Sequence, residues 1–369
     1  MKEWKEVKLG DVLELQRGYD LSRKQMDNMG TYPVAGSNGI IGMHSKYTMD
    51  FGVTIGRSGN IGNAFFYRDK FWAHNTVLFV KDFKGNSSKF IYYLFKSIDF
   101  SSFNTGSAVP SLNRNHVHQL GVLIPIQLKE QKAIAEVLSN LDDKIELLQK
   151  QNETLEQLAE TLFRQWFIEE AEEDWEEKEL SFFGKVVCGK TPPKKKKEYY
   201  GGDFPFVKIP DMHGNIFITK TTDTLSEEGK NFQLNKTIPP KSIMVSCIAT
   251  VGVVSMNLVE VQTNQQINSI IPKSKYYAYY LYLYLKSKKE YLNILGGGGT
   301  ATLNINTGTF SKLKVIYPSD EVIKKYDKLV SPYFTKIEFN QLQIQTLTEM
   351  RDTLLPKLMS GEVRVKLPD

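Results

Sequence analysis

From Ile134 onward the apolar positions step by four and three residues without a break: Ile134, Leu138, Leu141, Ile145, Leu148, Leu155, Ala159, Leu162 and Trp166, with Asn152 as the one polar member. This spacing keeps a narrow stripe on one side of a helix, which is a coiled-coil seam, and a lone amide in such a seam fixes register. At about 1.5 Å per residue the helix runs to about 48 Å. A less clean seam follows at Val330, Tyr333, Ile337, Asn340, Ile344, Leu347, Arg351, Leu354 and Leu358. Pro332 removes an amide that a helix interior needs, so the second helix is predicted to start near it, with Pro356 near its end. Elsewhere, short β-branched runs punctuated by glycine predict strands at Gly52–Ile55, Val77–Val80, Ile243–Ser246 and Ile267–Ile271, while Phe90–Lys96 and Tyr276–Ser287 read as helices. Mixed α+β blocks thus alternate with long helices.

The two blocks are copies of one unit. Trp4, Glu6, Leu9, Val12, Leu15 and Gly18 recur 171 positions later as Trp175, Glu177, Leu180, Phe183, Val186 and Gly189. Ile61-Gly62 and Asn75-Thr76-Val77 fall opposite Val251-Gly252 and Gln265-Gln266-Ile267 at a shift of 190. Leu112-Asn113 falls opposite Leu303-Asn304 at 191, and Ile124-Pro125 opposite Tyr317-Pro318 at 193. Pro192–Gly202 has no equivalent in the first half. Two equivalent domains, each followed by a narrow seam, imply helices that pack on one another. A pseudo-two-fold axis through them makes that packing antiparallel and the whole a dumbbell. Its ends would lie about 50 Å apart, roughly fourteen base pairs of duplex.

Length and composition narrow the class. At 369 residues, with 41% hydrophobic and 24% charged side chains, the chain is globular and suits about two domains. Its longest apolar stretch, Tyr276–Leu285, is too short to span a membrane, and no secretory signal is expected. Cys188 and Cys247 cannot form a disulfide framework and suit a reducing compartment, so a cytoplasmic protein is expected. The net charge of +5 hides opposed regions. Residues 1–125 carry 15 basic and 10 acidic side chains and 180–318 carry 18 and 8, whereas 126–179 carry 6 and 16 and 319–369 carry 8 of each. The two basic blocks are therefore candidate nucleic-acid faces, and the acidic helix should turn away from phosphate toward protein.

Base readout needs forked or amide side chains on exposed turns. The candidates are Arg17 and Arg23 flanking the first glycine turn; Arg57, Ser58 and Asn60 in Gly56–Gly62, opposite Thr250; Asn75 opposite Asn264 and Gln265; and Asn113, Arg114 and Asn115 opposite Asn304 and Asn306. Lys190, Lys194 and Lys195, in the lysine run of the second half, are candidate phosphate contacts. Gly184–Thr191 fits the pattern G-x-x-x-x-G-K-[ST], but Pro192-Pro193 is a poor start for the helix that a phosphate loop requires, so nucleotide binding is not expected. The double prolines at Thr191–Lys194 and Ile238–Lys241 are no methyltransferase signature, and Gly296–Gly299 opens no dinucleotide loop. Glu260-Val261-Gln262 lacks the lysine a nuclease motif wants. His116 and His118 are the one close histidine pair, and no metal site is expected.

Taken together the strings resemble the specificity subunit of type I restriction-modification enzymes over essentially the whole chain. The resemblance is carried by Trp4-Lys5-Glu6-Val7-Lys8-Leu9-Gly10-Asp11-Val12 and its copy from Trp175, and by Ile124-Pro125 through Glu130-Gln131-Lys132-Ala133-Ile134-Ala135 to Leu141-Asp142. It continues in Leu162-Phe163-Arg164-Gln165-Trp166-Phe167 and in Arg351-Asp352-Thr353-Leu354-Leu355-Pro356-Lys357-Leu358-Met359-Ser360-Gly361-Glu362. The second helical region departs from the pattern, with Ile323-Lys324-Lys325 where the first has Glu130-Gln131-Lys132. The resemblance implies an α+β fold: target-recognition domains at 1–127 and 172–320, and helical regions at 128–171 and 321–369 forming two long antiparallel coiled-coil helices. Each recognition domain would read one half of a bipartite site in double-stranded DNA. The helical regions, with the seam residues as coiled-coil or docking positions, would set the spacing and dock two modification (methyltransferase) subunits, which restriction subunits then join. The chain itself would be non-catalytic and cofactor-free, with S-adenosylmethionine, ATP and magnesium on the partner subunits. The competing expectation is a stand-alone bivalent DNA-binding protein without catalytic partners.

Overall fold

The computed structural model describes residues 4–27, 29–100, 103, 111–297 and 303–366. The chain forms two compact units, one comprising Met1–Glu146 with Gln345–Asp369 and the other Leu147–Ile344.

In the first unit, strands β1 (Trp4–Lys8) to β9 (Gly121–Pro125) form three sheets. The central one has the order β2-β8-β5-β6, from Glu14–Arg17, Val77–Asp82, Gly52–Gly56 and Ala64–Tyr67, all antiparallel. β3 (Tyr32–Gly36) pairs with β4 (Gly39–His44) and in parallel with the short β7 (Trp72–Ala73). β1 pairs with β9 in register Trp4↔Pro125 to Lys8↔Gly121. The helix Ser88–Ser97, capped by Ser87, lays Phe90, Ile91, Leu94 and Phe95 into a core with Val53, Ile55, Leu78 and Val80.

The second unit repeats this plan with additions. Its main sheet is β11-β18-β15-β16-β13, from Gly184–Cys188, Ile267–Pro272, Ile243–Ser246, Val254–Asn257 and Phe217–Ile218. A smaller sheet joins β12 (Tyr200–Val207), β14 (Asp223–Leu225) and β17 (Gln262–Thr263), and β10 (Glu176–Glu179) pairs with β19 (Lys314–Tyr317). The tyrosine-rich helix Tyr277–Ser287 is buried on every side, which explains its lack of an apolar stripe. Its hydroxyls find partners: Tyr280 and Tyr284 donate to the carbonyls of Ile316 and Lys314, Tyr282 to Glu156, and Tyr277 to Asp320.

The duplication is written in backbone hydrogen bonds. Leu9 N donates to Leu120 O at 2.7 Å and Leu180 N to Leu313 O at 2.8 Å. Gly18 N reaches Val77 O at 3.1 Å and Gly189 N reaches Ile267 O at 3.0 Å.

The first long helix spans Leu128–Arg164, which contains the seam from Ile134, and passes into a π-helical turn at Gln165–Glu169 that holds Trp166. Within the first unit Asp142 accepts from Arg351 Nη1 at 2.8 Å, Ile134 and Leu138 share a core with Leu355 and Leu358, and past the helix end Arg364 Nε donates to Glu130 at 2.6 Å. Within the second, Asn152 Oδ1 accepts from Asn340 Nδ2 at 2.9 Å, and Ala159 O from Tyr326 Oη at 3.0 Å. In each unit, therefore, the two helical segments run in opposite directions. Ile134, Leu138, Ile145, Leu148, Ile337 and Leu358 are buried, while Leu141, Leu155, Leu162, Trp166, Ile344, Leu347 and Leu354 are half-buried.

The expected start of the second helix near Pro332 is wrong. The helix spans Asp320–Met359 without interruption, with Pro332 and Pro356 inside it. Ile323, Tyr326, Val330, Phe334 and Ile337 are all fully buried along one face, and that burial outweighs the roughly 3 kcal/mol an interior proline costs. Pro332 itself is exposed, where its ring meets solvent.

Candidate nucleic-acid interface

Polar turns gather at one end of the main sheet in each unit. In the first, the end of β2, the start of β8 and the end of β5 lie side by side. Arg57 N donates to Thr76 O and Leu112 N to Arg57 O, both at 2.8 Å. These bonds bring together Arg17, Arg57, Ser58, Asn60, Asn75 and Asn113. The second unit makes the same bonds, Cys247 N to Gln266 O and Ile305 N to Cys247 O, again at 2.8 Å. Both glycine turns close alike, Gly62 N on Gly56 O at 2.8 Å and Gly252 N on Ser246 O at 2.9 Å. At Gly56 a Cβ would lie 1.9 Å from the carbonyl oxygen of Asn60, so this turn admits no side chain.

This geometry corrects the matching of the third loop. Asn113 corresponds to Asn306, and Leu112 to Ile305; Asn304 corresponds to Ser111, as the bridges Ser58↔Ser111 and Ile248↔Asn304 show. Asn113 and Asn306 are both helix caps, Asn113 Oδ1 accepting from Asn115 N and Asn306 Oδ1 from Thr309 N at 2.9 Å each. Their recurrence is explained by capping.

In the first unit Arg17 donates to Asp20 Oδ1 at 2.9 Å, and Asn75 Nδ2 donates to the same carboxylate. The amide of Asn75 and the charge of Arg17 hold the Asp20 carboxyl below its usual range, so it is ionised yet neutralised locally. Arg57 is half-buried and donates to Asn75 O at 3.2 Å; Asn60 is exposed and donates to Asn38 Oδ1 at 2.7 Å. Ser58 is half-buried, Arg114 and Asn115 are exposed on the turn Arg114–His118, and Arg23 is exposed on the turn Arg23–Gln25.

In the second unit Gln265, Thr250 and Asn304 are exposed, and Gln265 Oε1 accepts from Thr191 Oγ1. Asn264 is not available as a base reader. It is buried, its Oδ1 accepting from Gln266 N at 3.1 Å and its Nδ2 donating to Gln266 Oε1 at 2.9 Å, so both ends of the amide are spent in its own turn. Lys190 is exposed, its ammonium 4.7 Å from the Phe232 ring.

The inserted loop is anchored. Tyr200 Oη donates to Pro192 O at 2.6 Å, the Tyr199 and Phe232 rings lie 5.0 Å apart, and Gly229 sits so close that a Cβ would come within 2.1 Å of the Tyr199 carbonyl. Lys194 and Lys195 thus project as exposed cations from a held loop. Gly184–Cys188 is a strand and no helix begins after Thr191 until the single turn Lys197–Tyr199, which is not the geometry of a phosphate loop. Gly298–Thr302, part of the glycine run discounted above, lie outside the described residues.

His118 Nε2 accepts from Leu15 N at 3.0 Å, and burial keeps its ring below the ordinary histidine range. That lone pair is used for folding. Among the described residues no three histidine, cysteine, aspartate or glutamate side chains form a metal-binding group, and no helix is long and apolar enough to cross a membrane. Burial pushes the Cys247 thiol up to about 11.

Three rim residues escaped the sequence reading: Asp20, Asn38 and Thr191. Asn38-Gly39 between two extended runs is a hairpin signal that would have placed Asn38 at a tip. The departure at Glu130-Gln131 is also explained. Gln131 is buried, accepting from Ser87 N and donating to Asn86 Oδ1 and Pro125 O, and Glu130 accepts from Trp4 Nε1 at 3.1 Å, so both fasten the first unit internally.

The pattern of the type I restriction modification DNA specificity domain matches residues 1–157 and 172–349. The chain is 40% identical over 328 residues to the type I restriction enzyme HindI specificity subunit of Haemophilus influenzae, covering 69% of this chain and 71% of that one. It is 30% identical over 309 residues to the MjaIX specificity subunit of Methanocaldococcus jannaschii, covering 76% and 70%. In fold it is similar to the type I restriction-modification S subunit from M. genitalium, with a TM-score of 0.65 over 96% of each chain at 17% identity. Two copies of one frame, each with a polar rim, and these relatives agree: the chain belongs to the type I restriction-modification DNA specificity family, as one of its specificity subunits.

Proposed function

We propose that this chain is the non-catalytic DNA-recognition subunit of a type I complex, in which the rim of each unit reads one half of a bipartite duplex site. The carrying observation is that both units keep the same backbone bonds at the rim while its side chains change. A constant frame with variable exposed polar groups suits two half-sites of different sequence. Arg17, Arg57, Asn60, Asn75, Gln265 and Thr250 are the base-reading candidates, and Lys190, Lys194 and Lys195 the phosphate contacts. The helical segments carry exposed Leu147, Leu158, Phe339 and Leu342, which suit docking of two modification subunits. S-adenosylmethionine, ATP and magnesium belong to the partner subunits in this reading. The test is co-purification with the modification subunit of the same host, followed by mapping of methylated adenines. A two-to-one complex that modifies one split motif, and whose motif changes in one half when residues 180–318 are exchanged, supports the reading. A chain that recruits no methyltransferase yet binds duplex tightly alone overturns it.

A further inference from the structure

Because the two units share one frame, their rims can be compared position by position. Arg17, Asp20 and Asn75 correspond to Cys188, Thr191 and Gln265. In both units the residue three positions past the strand bonds to the amide residue on the facing turn, but the direction is reversed. Asn75 Nδ2 donates to Asp20 Oδ1, whereas Gln265 Oε1 accepts from Thr191 Oγ1.

The reversal changes what each rim offers. In the first unit Asp20 also binds Arg17 Nη2 at 2.9 Å, while the Arg17 side chain stays 51% exposed. A guanidinium held by one nitrogen presents its remaining N–H groups as a fork, which matches the O6 and N7 acceptors of guanine. In the second unit the Arg17 position is a cysteine, so no fork is available there. Thr191 Oγ1 donates to the Gln265 amide oxygen and anchors the amide at the rim. One lone pair and two amide hydrogens remain, an acceptor beside a donor, which matches N6 and N7 of adenine. We propose that Arg17, positioned by Asp20, reads a guanine in the half-site of the first unit, and that Gln265, positioned by Thr191, reads an adenine in the half-site of the second.

This inference rests on the DNA-recognition reading and names the residues that discriminate. The complex of the full chain with its modification subunit is assayed for binding to duplexes in which each base pair of its methylated motif is substituted in turn. Arg17→Ala should lower discrimination about 10- to 100-fold at a single G·C pair in one half, and Gln265→Ala should do so at a single A·T pair in the other half. Should either alanine variant bind no duplex, Arg17→Lys and Gln265→Asn decide, since each keeps the charge or amide and alters its reach. A change confined to one G·C pair for Arg17 and to one A·T pair in the other half for Gln265 supports the proposal. An unchanged motif, a change at a pair of the other kind, or relaxation spread over many positions overturns it. A wild-type complex that reads no split motif instead overturns the function proposed above, so the two failures are distinct.

Discussion

Asn152 and Asn340 meet in the interior of the second unit, 9% and 0% exposed, joined by one hydrogen bond of 2.9 Å, and Asn340 Oδ1 has no partner of its own. Replacing Asn340 with leucine strands the Asn152 amide, which costs about 1–3 kcal/mol. It also removes one unpaired carbonyl and adds apolar burial worth about 1–2 kcal/mol, so the single variant should lose about 1 kcal/mol. Asn152→Leu keeps the unpaired Asn340 Oδ1 and leaves Asn340 Nδ2 only Gln151 Oε1 at 3.4 Å, so it should lose slightly more, about 1–2 kcal/mol. The double leucine variant strands nothing, gains apolar contact on both sides, and should equal or exceed the wild type, giving a coupling of about 2 kcal/mol. Urea denaturation read by tryptophan fluorescence suits the test, because Trp166 and Trp175 lie in this unit. If the double variant loses the sum of the two singles to within about 0.5 kcal/mol, the pair is not coupled and the reasoning fails.

Three further outcomes are expected. Arg364→Ala leaves the Glu130 carboxylate, 2% exposed, with Trp4 alone, and because the arginine is itself 41% exposed the cost should be about 2–4 kcal/mol, largely recovered by adding Glu130→Gln; thermal unfolding of the four chains checks it. His118 is held below 6.5 by burial and by Lys84 and Arg114, so the unfolded chain binds its proton more readily than the folded one. Stability of the first unit should therefore fall as the pH drops through about 6.5 and be flat above it, and a His118→Gln variant should lose that slope in a pH series of denaturation curves. Lys194→Ala with Lys195→Ala should reduce the slope of log affinity against log salt by about 2 while leaving the methylated motif unchanged, as titrations between 50 and 200 mM salt would show.

The helices and the repeat were legible because both depend on local spacing. The seam residues read from Ile134 to Leu358 are buried or half-buried, and Asn152 was singled out as the polar seam position. Its partner Asn340 could be named as a seam member but not paired, since pairing depends on how two distant segments align. Pro332 misled because its cost is local and fixed, whereas the gain from Phe334 and Tyr326 is tertiary and is not written in the neighbouring sequence. The loop matching failed at Asn304 for a similar reason. Leu-Asn recurs at 303–304, but the backbone bond from Ile305 to Cys247 selects Asn306, the residue that caps a helix. Asn264 could not be told from Gln265 by residue type; only burial separates an amide spent in its turn from one presented outward.

The same separation explains how one frame can serve two half-sites. The bonds that define the rim run from backbone to backbone, Arg57 to Thr76 in one unit and Cys247 to Gln266 in the other, so they are indifferent to the side chain at either position. The position of Arg57 can even become a buried cysteine while its amide keeps the same acceptor. Exposed neighbours such as Arg17 and Gln265 carry little folding energy and can be exchanged at small cost. Where the halves differ inside, at Glu130 and Gln131 against Ile323 and Lys324, the difference is tied to fastening partners, Trp4 and Arg364 for Glu130 and Asn86 and Ser87 for Gln131. Exchange of recognition between such chains should therefore succeed when the rim residues move as a set within their own frame, and should cost stability when the boundary cuts between Glu130 and Trp4.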